Sequence, residues 1–412
     1  LKDVGAGAWN GAPELRGVNG LLQVDERGGR VDFDSRGMVL NFPELYSQGW
    51  DLDRARGVVS WLLDSERDSV RVDSELLQVW QQGIEANGRF SLNMPLGNDR
   101  ESDFTLMIGM DNSDGSKAPL FVPDRVVDQD LFKWISEAIV AGHLKSGGFL
   151  FRGGLERWAP EPSIQMFFDV TEGTVQYQPQ WPPVNEADAF TLIKNDEVLV
   201  KIAAGKIYET QLSAGEVYLP GGTKRLQVRA GLQGPAADGR RVLLEAPTRE
   251  YLGDEFAQWA LTGKATTAQD LEIDLEHTDR SKIRVDSLLK EGGYASKALD
   301  LAFEQLHGTI SYHESKGLSA DAIQGRLWDR PISARVRTRN DPDGSHTLIT
   351  AEGEVDIARL NQRLQQPILA LFEGQTDYQA TLDICTTSPE CTSLEVTSNL
   401  KGISTEAVPA PY

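Results

Sequence analysis

Cysteine is nearly missing from these 412 residues: there are two, Cys385 and Cys391, and only five histidines. Two thiols are too few for a structural zinc site. Positive charge is scarce as well. With 41 Lys+Arg against 62 Asp+Glu the formal net charge is −21, and the sequence pI is near 4.7. Such a surface repels phosphate, so no nucleic acid is expected as a partner, and the bulk of the chain is a poor match for anionic lipid surfaces. Long apolar runs are absent too. No stretch approaches 18 apolar residues and Leu1 opens no leader-like segment, so neither a transmembrane helix nor a signal peptide is expected within these residues.

Catalytic signatures are equally thin. There is no Gly-x-Ser-x-Gly elbow; Gly263-Lys264 lacks the rest of a phosphate loop; His313-Glu314 does not continue to a second zinc-binding histidine. Gly5-Ala6-Gly7 does not complete a dinucleotide fingerprint. Among the histidines only His307 and His313 share a segment, and six residues of strand would separate them by about 20 Å, too far for one metal. Paired carboxylates are plentiful, and a carbohydrate-acting pair is conceivable, but in so acidic a chain they read most simply as wetted strand faces. The expectation is a protein that is not an enzyme, with no metal and no cofactor.

What the sequence does have is alternation. Apolar residues are 40% of the chain and mean hydropathy is −0.35, which excludes disorder. They fall at every second position: Val31 and Phe33, Val70 and Val72, Phe104, Leu106, Ile108 and Met110, Ile164, Met166, Phe168 and Val170. The pattern continues through Leu226 and Val228, Leu271, Ile273 and Leu275, Ile283 and Val285, and Leu394 and Val396. Strands with one apolar and one wet face belong to antiparallel sheets, because parallel sheets bury both faces. Turn signals separate the runs at Glu26–Gly29, Asn112–Gly115, Asn195-Asp196, Ser315–Gly317 and Asp341–Gly344. The expected class is mainly β, an antiparallel meander of on the order of 25 to 30 strands, too many for one ordinary twisted sheet.

Three segments have helical spacing. Asp128 can cap a stripe of Leu131, Trp134, Ile135, Ala138 and Ile139; Leu252, Phe256, Trp259 and Ala260 form a second; Asp356 can cap Ile357, Leu360 and Leu364 before Pro367. A unit of helix, glycine and strands therefore recurs, with expected boundaries at 1–122, 123–248, 249–356 and 357–412. Residues 261–290 laid on 372–401, a shift of 111, give seven identities in thirty positions, among them Gly263 with Gly374 and Val285 with Val396. Val70-Arg71-Val72-Asp73-Ser74 also resembles Ile283-Arg284-Val285-Asp286-Ser287. Repeats of this kind suggest an elongated array. Cys385 and Cys391 bracket a short loop between alternating runs. A disulfide there would stabilise by roughly 2 kcal/mol and imply an oxidising compartment, with a pair of inert thiols as the alternative.

Several fragments, in order, resemble a known family: Val122-Pro123 leading to Leu131–Ile135, Ala141–Gly153, Tyr177–Pro183, Gly317–Gly325 and Leu400–Ile403. They resemble the YhdP-type proteins of Gram-negative bacteria, within the AsmA-like group that includes TamB and is similar in architecture to bridge-like lipid transfer proteins. The resemblance implies a sheet bent into a trough, the β-taco, and a periplasmic section of a protein anchored in the inner membrane. It implies phospholipid movement between inner and outer membrane, with acyl chains as the partner and membrane contacts made by parts outside these residues. The groove lining expected from alternation is Phe104, Leu106, Ile108, Ile164, Met166, Phe168, Leu271, Ile273, Ile283, Val285, Leu394 and Val396. A structural spacer with a dry core, or a β-solenoid acting on polysaccharide, would use the same alternation.

Overall fold

The computed structural model describes residues 1–9, 12–66, 68–97, 100–156, 158–246, 260–296, 301–341, 344–385 and 392–405. Strands dominate, as the period-two patterning requires. The first nine are β1 (Val4–Ala6), β2 (Glu14–Val18), β3 (Gly20–Val24), β4 (Gly28–Asn41), β5 (Trp50–Asp64), β6 (Ser69–Ser74), β7 (Leu77–Gln81), β8 (Ile84–Pro95) and β9 (Asp103–Asp114). A 3-10 segment at Gly115–Phe121 and helix α1 (Gln129–Ala138) come next. Then follow β10 (Ile139–Gly153), β11 (Ser163–Val175), β12 (Val184–Lys194), β13 (Glu197–Ile207), β14 (Thr210–Leu219), β15 (Arg225–Pro235) and helix α2 (Ala236–Glu245). The second half holds β16 (Ala260–Asp274), β17 (Lys282–Ser296), β18 (Leu301–His313), β19 (Gly317–Leu327), β20 (Arg330–Asp341), β21 (Gly344–Asp356) and helix α3 (Ile357–Leu364). After a 3-10 segment at Pro367–Leu371 come β22 (Phe372–Cys385), β23 (Ser393–Ser398) and β24 (Ile403–Thr405).

The chain divides into two compact units. The first comprises Leu1–Pro179, Pro183–Lys206 and Gly215–Arg225; the second comprises Gln180–Pro182, Ile207–Ala214 and Leu226–Tyr412. In the first, β8 to β13 pair in sequence order and always antiparallel. Two places are broken rather than continuous: β2 and β3 both pair with β4, and β6 and β7 lie between β5 and β8. In the second unit β16 to β23 form the same antiparallel meander.

Bulges line up across neighbouring strands. In the first unit Leu144 of β10 faces Val170 of β11 and the register slips beside it, with further slips between Val170 and Gly173 of β11 and between Asn185 and Asp188 of β12. Glu172 and Glu186 supply left-handed residues there, with φ of 54° and 49°. In the second unit slips fall between Thr262 and Lys264, Leu289 and Gly292, Glu304 and His307, and Ala320 and Ile323. A bulge inserts one residue, bends its strand and raises local twist, so a row of them makes a crease. Buried apolar side chains sit along these creases: Leu144 and Ala187 in the first unit, and Leu306, Ala320 and Ile323 in the second. A second cluster in the first unit, Met38, Leu52 and Ala55, packs beneath Phe33, Trp50 and Val79.

Among the described residues, the sheet away from the creases has no second layer. A folded 45.4 kDa chain ordinarily exposes about 16,000 Å²; this one exposes 26073 Å².

The helices fall where capping chemistry is strong. Asp128 accepts the amides of Asp130 and Leu131 at 3.0 and 3.1 Å, and Asp356 caps Ala358 at 2.9 Å. Helix α2 has no such signal, since it starts after Pro235 without a side-chain cap and contains Gly239. The expected helical residues Leu252, Phe256 and Trp259 lie outside the described residues, and Ala260 begins β16. Cys391 and the side chain of Cys385 also lie outside them. One turn signal is corrected: Asn112–Asp114 is the end of β9, followed at Gly115 by the 3-10 segment, because Asp114 caps Ser116 instead of closing a hairpin. The Asn195-Asp196 signal does close a two-residue hairpin, with Lys194 facing Glu197 and Asn195 at φ 54°.

Candidate functional site

Directly opposed residues on antiparallel neighbours point to the same side of a sheet, so the registers define the faces. In the first unit one row runs Val24, Gly29, Trp61, Val72, Leu92, Phe104, Gly153 across seven strands. A second runs Phe90, Leu106, Phe151, Ile164, and a third Gly88, Ile108, Phe149, Met166, Ile193, Val198. A fourth joins Ala86, Met110, Gly147, Phe168, Thr191 and Val200. Phe104 to Met110 is three two-residue steps, so this apolar strip is about 20 Å wide along the strands. The rings of Phe90, Phe104 and Phe151 form a chain of edge contacts, with centroids 6.4 and 5.7 Å apart.

The six expected lining residues of this unit, Phe104, Leu106, Ile108, Ile164, Met166 and Phe168, all fall on that face. Sequence reasoning missed Trp61, Phe90, Phe149, Phe151 and Ile193. For Phe149 and Phe151 the signal was present in Gly147–Gly153, where the two phenylalanines alternate, but Leu150 between them blurs the period.

The second unit repeats the arrangement. Leu271 faces Ile283, Val285 faces Tyr312, and one row runs Thr267, Ser287, Ile310, Ala320, Val336, Ile349, Leu382, Leu394. The strand spacing places Ala320 beside Ile310 one pair in from the Ser311–Ser319 pairing. Leu271, Ile273, Ile283, Val285, Leu394 and Val396 share this face. Thr267 and Ser287 interrupt it, but their hydroxyls hydrogen-bond each other at 2.9 Å and so need no other partner. Ile283 and Val285 are half-buried, whereas Leu394 and Val396 on β23 are 55% and 59% exposed.

The 111-residue repeat has a structural counterpart in this unit. Leu271 opposite Ile283 becomes Leu382 opposite Leu394, and Gln269 opposite Val285 becomes Ala380 opposite Val396.

The other face is held by charge. Arg71 bonds Asp73 at 2.7 Å while Ser91 of β8 donates to the same carboxylate at 2.7 Å. Arg284 bonds Asp286 at 2.9 Å while Ser311 of β18 donates to it at 2.6 Å. The two look-alike segments therefore build one network twice. The Arg71 guanidinium holds the Asp73 carboxyl below the usual range, and the Ser311 hydroxyl, with Arg284, does the same for Asp286. Lys145–Asp169 and Lys282–Glu272 are further cross-strand pairs, at 3.2 and 3.1 Å. These pairs are mostly exposed and each contributes little to stability, but together they keep this side wetted.

In each unit, a half-buried apolar face that has no opposing protein layer among the described residues can accept extended apolar ligands. Among the residues of these rows none is charged.

No solved structure matches the chain. It is 20% identical over 410 residues to the intermembrane phospholipid transporter YhdP of Escherichia coli (strain K12), an alignment covering 98% of this chain and 32% of that protein. The chain thus spans about a third of the length of that curated relative. The family model described as YhdP protein matches residues 1–412, the whole chain, which therefore belongs to the YhdP family.

Proposed function

We propose that the apolar faces of both units carry phospholipid acyl chains, and that the chain is a periplasmic section of a transporter working between the inner and outer membranes of a Gram-negative bacterium. The uncovered apolar face carries this reading. It is the face that alternation hides from water, yet it has no protein layer over it, so lipid is the occupant that reconciles the two. The Escherichia coli relative, named for intermembrane phospholipid transport, supports the same substrate class.

The physics favours such a path. Moving a phospholipid through water exposes some 30 methylenes at about 0.8 kcal/mol each, a barrier on the order of 20 kcal/mol. Sliding along Leu, Ile, Phe and Met side chains removes most of that cost, while the headgroup stays hydrated at the open side. No covalent step is involved, so the protein acts as a conduit and not as an enzyme. Anchorage in the inner membrane and contact with the outer one belong to other parts of the longer protein.

Mass spectrometry of lipids that co-purify with the chain after extraction from membranes tests this reading. Phospholipid retained through gel filtration in a fixed ratio to protein is expected. Protein that is folded, protease-resistant and free of lipid would instead favour a dry structural spacer.

A further inference from the structure

The apolar face of each unit has a wet end and a dry end. At the wet end a hairpin tip fastens the strand beside it. Ile164 of β11 donates its N–H to Asn195 Oδ1 at 2.8 Å and accepts the Asn195 N–H at 2.8 Å; Ile283 of β17 donates to the Glu314 carboxylate at 2.8 Å and accepts the Glu314 N–H at 3.1 Å. In each unit a polar tip thus flanks the first apolar-face residue of its strand. Six residues further along the same two strands lie Val170 and Leu289, at the creases. There the bend is filled. A Cβ at Gly142 would lie 3.2 Å from Val170 Cγ1, and one at Gly292 would lie 2.5 Å from Leu289 Cδ2, so these side chains lie on bare backbone. Tyr294 and Phe303, stacked at 5.7 Å beyond the second crease, pack on Leu306, Ala320 and Ile323, as Leu289 and Ile310 do from before it. Leu144, facing Val170, is 8% exposed.

We propose that each acyl chain lies along the strands, its ester at the rim marked by Ile164 and Ile283 and its terminal methyl stopped by the crease at Val170 and Leu289, so that the depth of the face selects chain length. The inference rests on the lipid reading above and adds the orientation and the stop. Six residues of strand span about 20 Å in either unit. An acyl chain that fills one leaflet, half of a hydrocarbon core about 30 Å thick, fits that depth. A chain laid across the strands would hold its ester over apolar side chains, where a polar group without a partner is costly. At the rim the ester meets water and the polar tips of Asn195 and Glu314. The crease does not yield to a longer chain, because it is packed from both sides like a protein interior. A longer chain therefore lifts its ester clear of the rim.

The test loads the full-length protein from vesicles of phosphatidylethanolamine whose palmitoyl chains carry a diazirine either at the chain end or beside the carbonyl, and assigns adducts by peptide mass. Chain-end probes are expected to label Val170 and Leu289 at least fivefold more than Ile164 and Ile283, and carbonyl-side probes the reverse. With lignoceroyl chains the carbonyl-side labelling of Ile164 and Ile283 should fall at least threefold, while the chain-end labelling stays at the crease. Ala265→Phe, which fills the position facing Leu289, should move the chain-end adducts of the second unit from Leu289 toward Val285; Ala268→Phe, facing Asp286 on the other side, should not. The wild-type map decides alone if Ala265→Phe does not fold. Adducts of either probe spread evenly from rim to crease, or carbonyl-side labelling indifferent to chain length, would overturn the proposal and leave the lipid reading standing. No adduct with either probe in folded protein would overturn both.

Discussion

Gly263 and Gly374, 111 residues apart, hold the same place at the start of two repeated hairpins, and both have positive φ, 93° and 114°. Each is pressed on the backbone of its partner strand: a Cβ would lie 2.6 Å from the Glu291 carbonyl oxygen at the first and 2.1 Å from that of Gly402 at the second. Neither backbone atom can swing away. Gly263→Ala or Gly374→Ala should therefore destabilise by about 1–3 kcal/mol. Gly239→Ala, in open space within α2, should stabilise by about 0.4–1 kcal/mol. Urea unfolding of the three variants checks the contrast.

The paired networks at Asp73 and Asp286 predict an acid limb in stability. Both carboxyls titrate below the ordinary 3.8 in the folded protein. The unfolded chain then binds protons first as pH falls, so their stabilisation is complete above the unfolded value and is lost as pH drops through the folded one. Asp73→Asn combined with Asp286→Asn should flatten the decline below about pH 4 and leave the pH dependence near 7 unchanged. Thermal melts from pH 2.5 to 7 measure this.

Helix capping is a third point of attack. Asp128 and Asp356 each satisfy two amides at a helix start, so Asp128→Ala or Asp356→Ala should cost about 1 kcal/mol. Asp→Asn at either position should cost less, because the amide oxygen still caps. Protection of the Asp130 and Ala358 amides in hydrogen exchange reports each helix separately.

Two adjacent residues separate the faces in function. Leu106 lies on the apolar side, while Thr105 lies on the other, facing Arg152 and Ser91. Leu106→Asp places an isolated carboxylate that must stay hydrated or neutralise, and should lower co-purifying phospholipid several-fold. Thr105→Asp should leave it unchanged. Equal loss in both variants would argue against a lipid-bearing face.

Strand identity and facing were readable because period two survives wherever one side is wetted, as at Leu271, Ile273, Ile283 and Val285. The repeat at a shift of 111 has a counterpart in register: Leu271 opposite Ile283 recurs as Leu382 opposite Leu394. The creases were not readable. Bulges at Glu172 and Glu186 place ordinary polar residues at positive φ, and no local composition distinguishes them from a strand. Phe149 and Phe151 were hidden by Leu150, which is apolar on the opposite face, where it faces Met107. Sequence alternation shows which side chains share a face, but only the registers show how many strands that face crosses.

Photo-crosslinking to lipid from both faces tests the conduit most directly. With the probe placed in cells at Leu106, Phe168, Leu271 and Ile283, and at Thr105, Gln165, Asp270 and Glu272 as opposite-face controls, phospholipid adducts are expected from the first four and from none of the controls. A folded, protease-resistant protein giving no lipid adduct at Leu106, Phe168, Leu271 or Ile283, or giving equal adducts on both faces, would contradict it.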